Sequence, residues 1–248
     1  MEALIDIAGR SGVPLVEDAA HAFPVRIKGK FVGCMSDAGV YSFYATKTIT
    51  TGEGGMLVTG RDDIAARARV MRLHGIDRDT WNRYTSRRAS WRYDIVAPGF
   101  KYNLADMAAA IGRVQLAKSQ DFLIQRTRIA HRYLDALADV DFLELPTAAQ
   151  NHAWHLFIVH IVPERLSVDR DTFADDLIRR GIGISVHFIP LHIMSYYRQR
   201  YGLKPESFPR ALQRFRTCIS LPLSPSLSEE EVERVIAAVK KTGLAHRV

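Results

Sequence analysis

Val13-Pro14-Leu15-Val16-Glu17-Asp18-Ala19-Ala20-His21 is a brief apolar run that ends in two carboxylates. Its first four residues read as a strand. The carboxyl end of a strand is where open α/β sheets place their ligands. Upstream, residues 1–10 read as a helix with Leu4, Ile5 and Ala8 on one face, stopped by Gly12 and Pro14. Downstream, residues 38–43 read as a second strand, Gly52-Glu53-Gly54-Gly55 as a tight turn and Met56-Leu57-Val58-Thr59 as a third strand. A basic helix follows at about 62–74. Strands alternating with helices predict an α/β fold with a parallel sheet covered on both faces. Three strands leave two edges to cover, so the expectation is that part of the sheet lies upstream of Met1.

The texture then changes. Residues 76–102 read as an irregular link rich in Arg, Trp and Tyr. Leu104, Met107, Ala108, Ile111 and Gln115 recur at helical spacing and predict a helix over 104–118. A second helix is expected over 121–139. Trp154–Val162 reads as a buried strand, 169–180 as a helix closed by Gly181, and Gly183–Phe188 as a short strand. Ser228-Glu229-Glu230-Glu231 has the capping-box pattern, with Val232, Val235, Ile236 and Val239 as the apolar face behind it. A domain boundary is expected between 120 and 145.

Composition bounds the function. The 248 residues are 47% hydrophobic and 25% charged, which is globular usage and excludes a disordered or fibrous chain. The longest apolar run, Trp154–Val162, is too short to span a bilayer, and the N-terminal residues lack the pattern of a signal peptide. Two cysteines, Cys34 and Cys218, cannot build a disulfide framework, which fits a cytoplasmic protein. The His and Cys residues show no metal-ligand spacing, so no metal is expected. A net charge of +7 points to an anionic partner. No helix-turn-helix, RRM or zinc spacing accompanies it, so nucleic acid is not the expected partner.

Three segments carry the chemistry together. Asp18 puts a carboxylate at a strand end. Tyr41-Ser42-Phe43-Tyr44-Ala45-Thr46-Lys47 runs from a strand into a loop that ends in an amine. Gly52-Glu53-Gly54-Gly55 lies just behind it. A lysine that attacks a carbonyl must be held on a rigid element and partly desolvated, so that its neutral form is available. Taken singly, each feature has a plainer account. A lysine after a strand is usually solvated, a strand-end Asp is often a helix cap, and His21, Ser42 and the glycines could be ordinary surface and turn residues. Their joint order and spacing raise the functional reading above these.

In that order and spacing the segments resemble the DegT/DnrJ/EryC1/StrS family of pyridoxal-phosphate sugar aminotransferases, of the aspartate-aminotransferase fold (fold type I). The resemblance continues through His74-Gly75, Gly99-Phe100-Lys101-Tyr102-Asn103, Ala108-Ala109-Ala110-Ile111-Gly112 and Gln115-Leu116. It reaches His152-Ala153-Trp154-His155-Leu156-Phe157, Val186-His187-Phe188 and Ser220-Leu221-Pro222-Leu223. It implies that residues 1–120 are the C-terminal portion of the large cofactor-binding domain, with a mainly parallel sheet, and 121–248 a small α+β domain.

The resemblance also implies roles. Lys47 matches the lysine that bonds to pyridoxal phosphate and then shuttles a proton. Asp18 matches the carboxylate paired with the pyridine nitrogen, where an anion keeps that nitrogen protonated. His21 sits where members carry Gln or His beside the ring hydroxyl. Ser42 matches a hydroxyl on the cofactor phosphate. Lys101 and Asn103 match a segment that the neighbouring subunit contributes, which implies a homodimer with shared active sites. His187 lies in a segment resembling the substrate-pocket wall.

Two departures stand out. Lys101 replaces an amide found in many members, and the long N-terminal stretch of the family precedes nothing here, so the chain reads as N-terminally truncated. Members with His in place of the lysine are sugar dehydratases; Lys47 implies transamination instead. The implied substrates are an amino-acid donor, glutamate by resemblance, and a keto-sugar nucleotide, for cell-surface polysaccharide or related sugar biosynthesis. Arg78, Arg83, Arg87, Arg88 and Arg92 are candidates to meet its diphosphate. The alternative is a catalytically incomplete fragment that acts at most as a binding or structural subunit.

Overall fold

The computed structural model describes residues 1–77, 93–147 and 151–248. The five link arginines from 78 to 92 lie outside the described residues. The chain divides into two compact units, Met1–Asp121 and Phe122–Val248.

In the first unit, helix α1 (Glu2–Ser11) ends where Gly12 turns left-handed at φ 64°. Strand β1 (Val16–Asp18) begins later than its apolar run. Pro14 has no N–H to donate, and the Leu15 N–H goes to the Asp37 carboxylate at 2.9 Å rather than to a ladder. A two-residue hairpin, β2 (Arg26–Ile27) and β3 (Lys30–Phe31), follows. Its turn residues Lys28 and Gly29 both have positive φ, 50° and 82°, as a primed turn requires. This hairpin has little signature in the sequence, because Lys at the first turn position is a weak signal.

Strand β4 (Ala38–Ser42) pairs with β1 in parallel, Val16 with Ala38 and Asp18 with Val40. Strand β5 (Gly55–Val58) pairs with β4 antiparallel, Val40 with Leu57 and Ser42 with Gly55. The sheet order is β1-β4-β5. The α/β class holds, and the expected parallel arrangement holds for β1 and β4 but not for β4 and β5. Parallel neighbours need a crossover, usually helical. Residues 43–54 contain none. The chain folds back on itself, and the Phe43 N–H donates to the Gly54 carbonyl at 2.9 Å. Close approach beneath the sheet demands glycine at 39, where a Cβ would lie 1.9 Å from the Gly33 carbonyl oxygen. Helix α2 (Asp62–Met71) completes this stretch.

Helix α3 (Asp106–Leu137) is one helix of 32 residues, where the sequence spacing predicted two. No Pro or Gly stands between 113 and 137, so nothing in the backbone stops it. The boundary between the units falls inside it. From 122 onward its inward residues are Arg126, Ile129, Ala130, Tyr133 and Leu137.

The second unit carries a three-stranded antiparallel sheet, β6 (Leu143–Glu144), β7 (Phe157–Ile161) and β8 (Cys218–Leu221). Phe157, Val159 and Ile161 alternate inward along β7. They meet Phe173 and Leu177 of α4 (Arg170–Arg179) and Val235, Ile236 and Val239 of α7 (Glu229–His246) in one core. Two shorter helices, α5 (Ser195–Tyr201) and α6 (Pro209–Thr217), lie between α4 and β8 in the chain. The expected strand at 183–188 is reduced to one bridge, Ser185 with Ser220. Buried Arg126 donates to the carbonyls of Leu223 at 2.9 Å and Trp154 at 3.2 Å. Burial pushes its guanidinium below the usual value.

The capping box forms as read. The Glu231 N–H donates to Ser228 Oγ at 3.2 Å and the Ser228 N–H to Glu231 Oε2 at 2.8 Å. Phe157 is fully buried, its ring 5.1 Å from that of Tyr133. Phe157→Ala should lower the unfolding free energy by about 3–5 kcal/mol in urea titrations. Ser228→Ala should lower it by about 1 kcal/mol.

Candidate active site

Period-two alternation builds the first half of the site. Asp18 pairs with Val40, and Ser42 lies two residues further along β4, so Asp18 and Ser42 share one face of the sheet. Glu17 and Tyr41 share the other. Asp18 is exposed and half-buried Ser42 lies near it in register. The Asp18 carboxylate accepts the Ala20 N–H at 3.1 Å, and Ser42 Oγ accepts the Tyr44 N–H at 3.4 Å.

On the opposite face Glu17 is 5% exposed and strongly bound. Its carboxylate accepts the N–H groups of Gly33 and Met35, each at 2.7 Å, that of Ser36 at 2.9 Å, and the Ser36 hydroxyl at 3.1 Å. Burial acts to raise its pKa, but the hydrogen bonds outweigh burial and hold the carboxyl below its ordinary value. Tyr41 donates its hydroxyl to the Val32 carbonyl at 2.7 Å.

The loop after Ser42 presents the amine. The Lys47 N–H donates to the Tyr44 carbonyl at 2.9 Å, which turns the chain so that Lys47 is half-buried. Beyond it, Thr48 Oγ1 donates to the Phe23 carbonyl at 2.8 Å, and Thr50 donates its N–H to Gln115 Oε1 at 3.3 Å. The Thr51 N–H donates to the Phe43 carbonyl at 2.9 Å and its hydroxyl to the Glu53 carbonyl at 2.7 Å. Gly54 sits at φ 156°, where a Cβ would come within 2.4 Å of Thr51 Oγ1 and 3.0 Å of Leu104 Cδ1. Lys47 is thus carried on a loop tied down on both sides.

The remaining candidates fall elsewhere. His21 is exposed in the turn after β1. Lys101 and Asn103, both exposed, hydrogen-bond each other through Nζ and Oδ1, in a segment bridged to Leu73 and carrying the stacked rings of Phe100 and Tyr102, 4.9 Å apart. That segment leads to Leu104 beside the Gly54 turn. His187 belongs to the second unit, where its Nδ1 lies 2.7 Å from the hydroxyl of Ser220 on β8. A cavity of about 470 Å³ between α1 and residues 35–37 contains none of these residues. Among the described residues, no three His, Cys, Asp or Glu side chains are grouped to hold a metal ion, and no helix is long and apolar enough to cross a membrane.

The donor set fits pyridoxal phosphate. A carboxylate suits the protonated ring nitrogen and a hydroxyl suits the phosphate. An amine on a tied loop suits the aldehyde, and a glycine turn leaves backbone room where a Cβ would collide. The residue that reading by motif passed over is Glu17. Its signal was the alternation in β1, which sends adjacent carboxylates to opposite faces.

Residues 1–240 match the DegT/DnrJ/EryC1/StrS aminotransferase family. The spore coat polysaccharide biosynthesis protein SpsC of Bacillus subtilis is 40% identical over 97% of this chain and 62% of its own. The aminotransferase TlmJ of Streptoalloteichus hindustanus superposes with a TM-score of 0.82 at 33% identity, over 98% of this chain and 62% of its own. The putative sugar aminotransferase Spr1654 of Streptococcus pneumoniae, in its PLP form, gives 0.82 at 30% identity, over 94% and 58%. The chain spans 62–63% of the length of the curated relatives it matches.

Two measurements check the site's local physics. Gly54→Ala should cost about 1–3 kcal/mol of stability, from a strained φ and the Thr51 contact. Glu17 has a folded pKa below its ordinary value of 4.5. Its contribution to stability is therefore present above that value and is lost as pH falls through the folded one. Chemical denaturation in the acid range should show the wild type losing stability with falling pH more steeply than Glu17→Gln.

Proposed function

We propose that this chain, which belongs to the DegT/DnrJ/EryC1/StrS aminotransferase family, moves an amino group from an amino acid to a keto-sugar nucleotide with the aid of pyridoxal phosphate. The observation that carries the reading is the placement of Asp18 and Ser42 on one sheet face, with Lys47 on the tied loop leaving Ser42. The name of SpsC, a spore coat polysaccharide biosynthesis protein, and the PLP form of Spr1654 support it.

Pyridoxal phosphate, when bound, links to amino groups through its aldehyde and withdraws electrons from the carbon beside the nitrogen into its ring. The chain's residues do the rest. Asp18 accepts a hydrogen bond from the ring N–H and keeps that nitrogen charged. Ser42 Oγ donates to the phosphate. Lys47 Nζ is the amine that would hold the cofactor. As a free amine the same Nζ would be the general base placed to move a proton at the donor's α-carbon. His21 orients the ring hydroxyl.

Glutamate is the proposed donor. Lys101 and Asn103 of a second copy complete the phosphate site, which makes the working unit a homodimer in the cytoplasm. His187 lines the sugar side, and the pathway is the assembly of a cell-surface polysaccharide or a related sugar.

The test is trapping. After incubation with pyridoxal phosphate and borohydride, mass spectrometry should find the adduct on the peptide containing Lys47 and not in Lys47→Ala. Transfer from glutamate to a keto-sugar nucleotide should fall by about 10²–10⁴-fold in Lys47→Ala. No adduct on the wild type would end the reading. An adduct without turnover would favour the other one, a catalytically incomplete relative that binds and does not transfer.

A further inference from the structure

We propose that Glu17 is the positioning residue for the Asp18 carboxylate, holding it in place from the opposite face of the sheet. This rests on the reading of Asp18 as the partner of the cofactor's ring nitrogen. Strand β1 has only three residues and, among the described residues, only β4 beside it. Asp18 is its last residue. So short a ladder fixes the strand weakly, yet a carboxylate that must meet one ring nitrogen needs a fixed backbone.

The loop that precedes β4 supplies what the ladder lacks. Asp37 reaches back and accepts the Leu15 N–H at 2.9 Å, just before β1. Glu17 reaches the other way and accepts from Gly33, Met35 and Ser36. Ser36 Oγ also lies 3.2 Å from the Ala38 carbonyl, in β4. The strand and the loop are therefore strapped together by two carboxylates that cross in opposite directions. Gly33, at φ 99°, lies so close that a Cβ there would come within 2.9 Å of Ala19 Cβ. Ala19 is fully buried and directly follows Asp18. Any shift of the loop is felt one residue from the site.

A carboxylate is needed here, not merely a polar group. Glu17 Oε2 accepts from Gly33 while Oε1 accepts from Met35 and Ser36. Glutamine has one acceptor oxygen, and its NH₂ would face a backbone N–H in either orientation. Adjacent side chains on a strand leave on opposite faces, so a β1 released from the loop turns Asp18 along with Glu17.

The experiment uses the full chain as wild type, Glu17→Gln, Asp18→Asn, the double variant and Ser36→Ala. Circular dichroism establishes folding. Absorbance titration reads the dissociation constant for pyridoxal phosphate and the bound cofactor's spectrum against pH. Glu17→Gln should fold, weaken uptake by about tenfold and shift the spectrum toward that of Asp18→Asn. The double variant should be no worse than Asp18→Asn alone, because both substitutions remove one function. Ser36→Ala, which deletes one donor and keeps the carboxylate, should weaken uptake by about two- to threefold.

A Glu17→Gln chain that is less stable but keeps wild-type affinity and spectrum would overturn the proposal, as would additive losses in the double variant. If Glu17→Gln fails to fold, an unchanged Ser36→Ala overturns it. Uptake by the wild type with no effect of Glu17→Gln refutes this inference alone. No uptake by the wild type refutes the proposed function and this inference with it.

Discussion

Side chains alternate across a strand, so the parallel pairing of Asp18 with Val40 decides the character of the whole first unit. It sends Asp18 and Ser42 to one face and Glu17 and Tyr41 to the other. A slip of one residue would exchange the two pairs. The exposed carboxylate of Asp18 would then be buried, and the one that ties the loop would be exposed. The register is protected from the buried side. Glu17 gathers three backbone N–H groups and a hydroxyl, and Tyr41 closes on Val32. An ionised buried carboxylate persists only where its hydrogen bonds outweigh desolvation, and here they do.

The reversal of β5 is the second constraint. An antiparallel return over residues 43–54 brings Gly54 opposite Phe43 and leaves no helix between them. That loop is where Lys47 sits. Three of its four threonines, Thr48, Thr50 and Thr51, are each bonded to backbone or to Gln115. The amine is thus followed by a segment whose threonines tie it to the backbone and to α3. The second unit is built differently: a continuous apolar core around Phe157 and Phe173, with Arg126 as a buried cation whose Nη1 donates to carbonyls while its Nε has no partner among the described residues.

What could be read from residues alone were the local features. Gly12 stopping α1 and the Ser228 box are decided within one turn of chain. The inward alternation of β7 needs only its own residues. The constellation of Asp18, Ser42, Lys47 and the glycine turn was legible as an ordered motif, and the family it resembles is the family the chain belongs to.

The rest needed the tertiary structure because it depends on groups far apart in sequence. The direction of β5 follows from a hydrogen bond between 43 and 54, which the apolar pattern of either strand leaves free. The continuity of α3 is hidden in the sequence because polar residues around 120 look like a break, while helix propensity lets the backbone run on. The role of Glu17 is set by loop residues sixteen to nineteen positions away. Sequence by itself determined the family the chain belongs to and the caps that stop or start α1 and α7, since those preferences act over a few bonds. Only the fold decided which face each carboxylate takes and what holds it there, since that is settled by strand pairing and by backbone donors that have no side-chain signature.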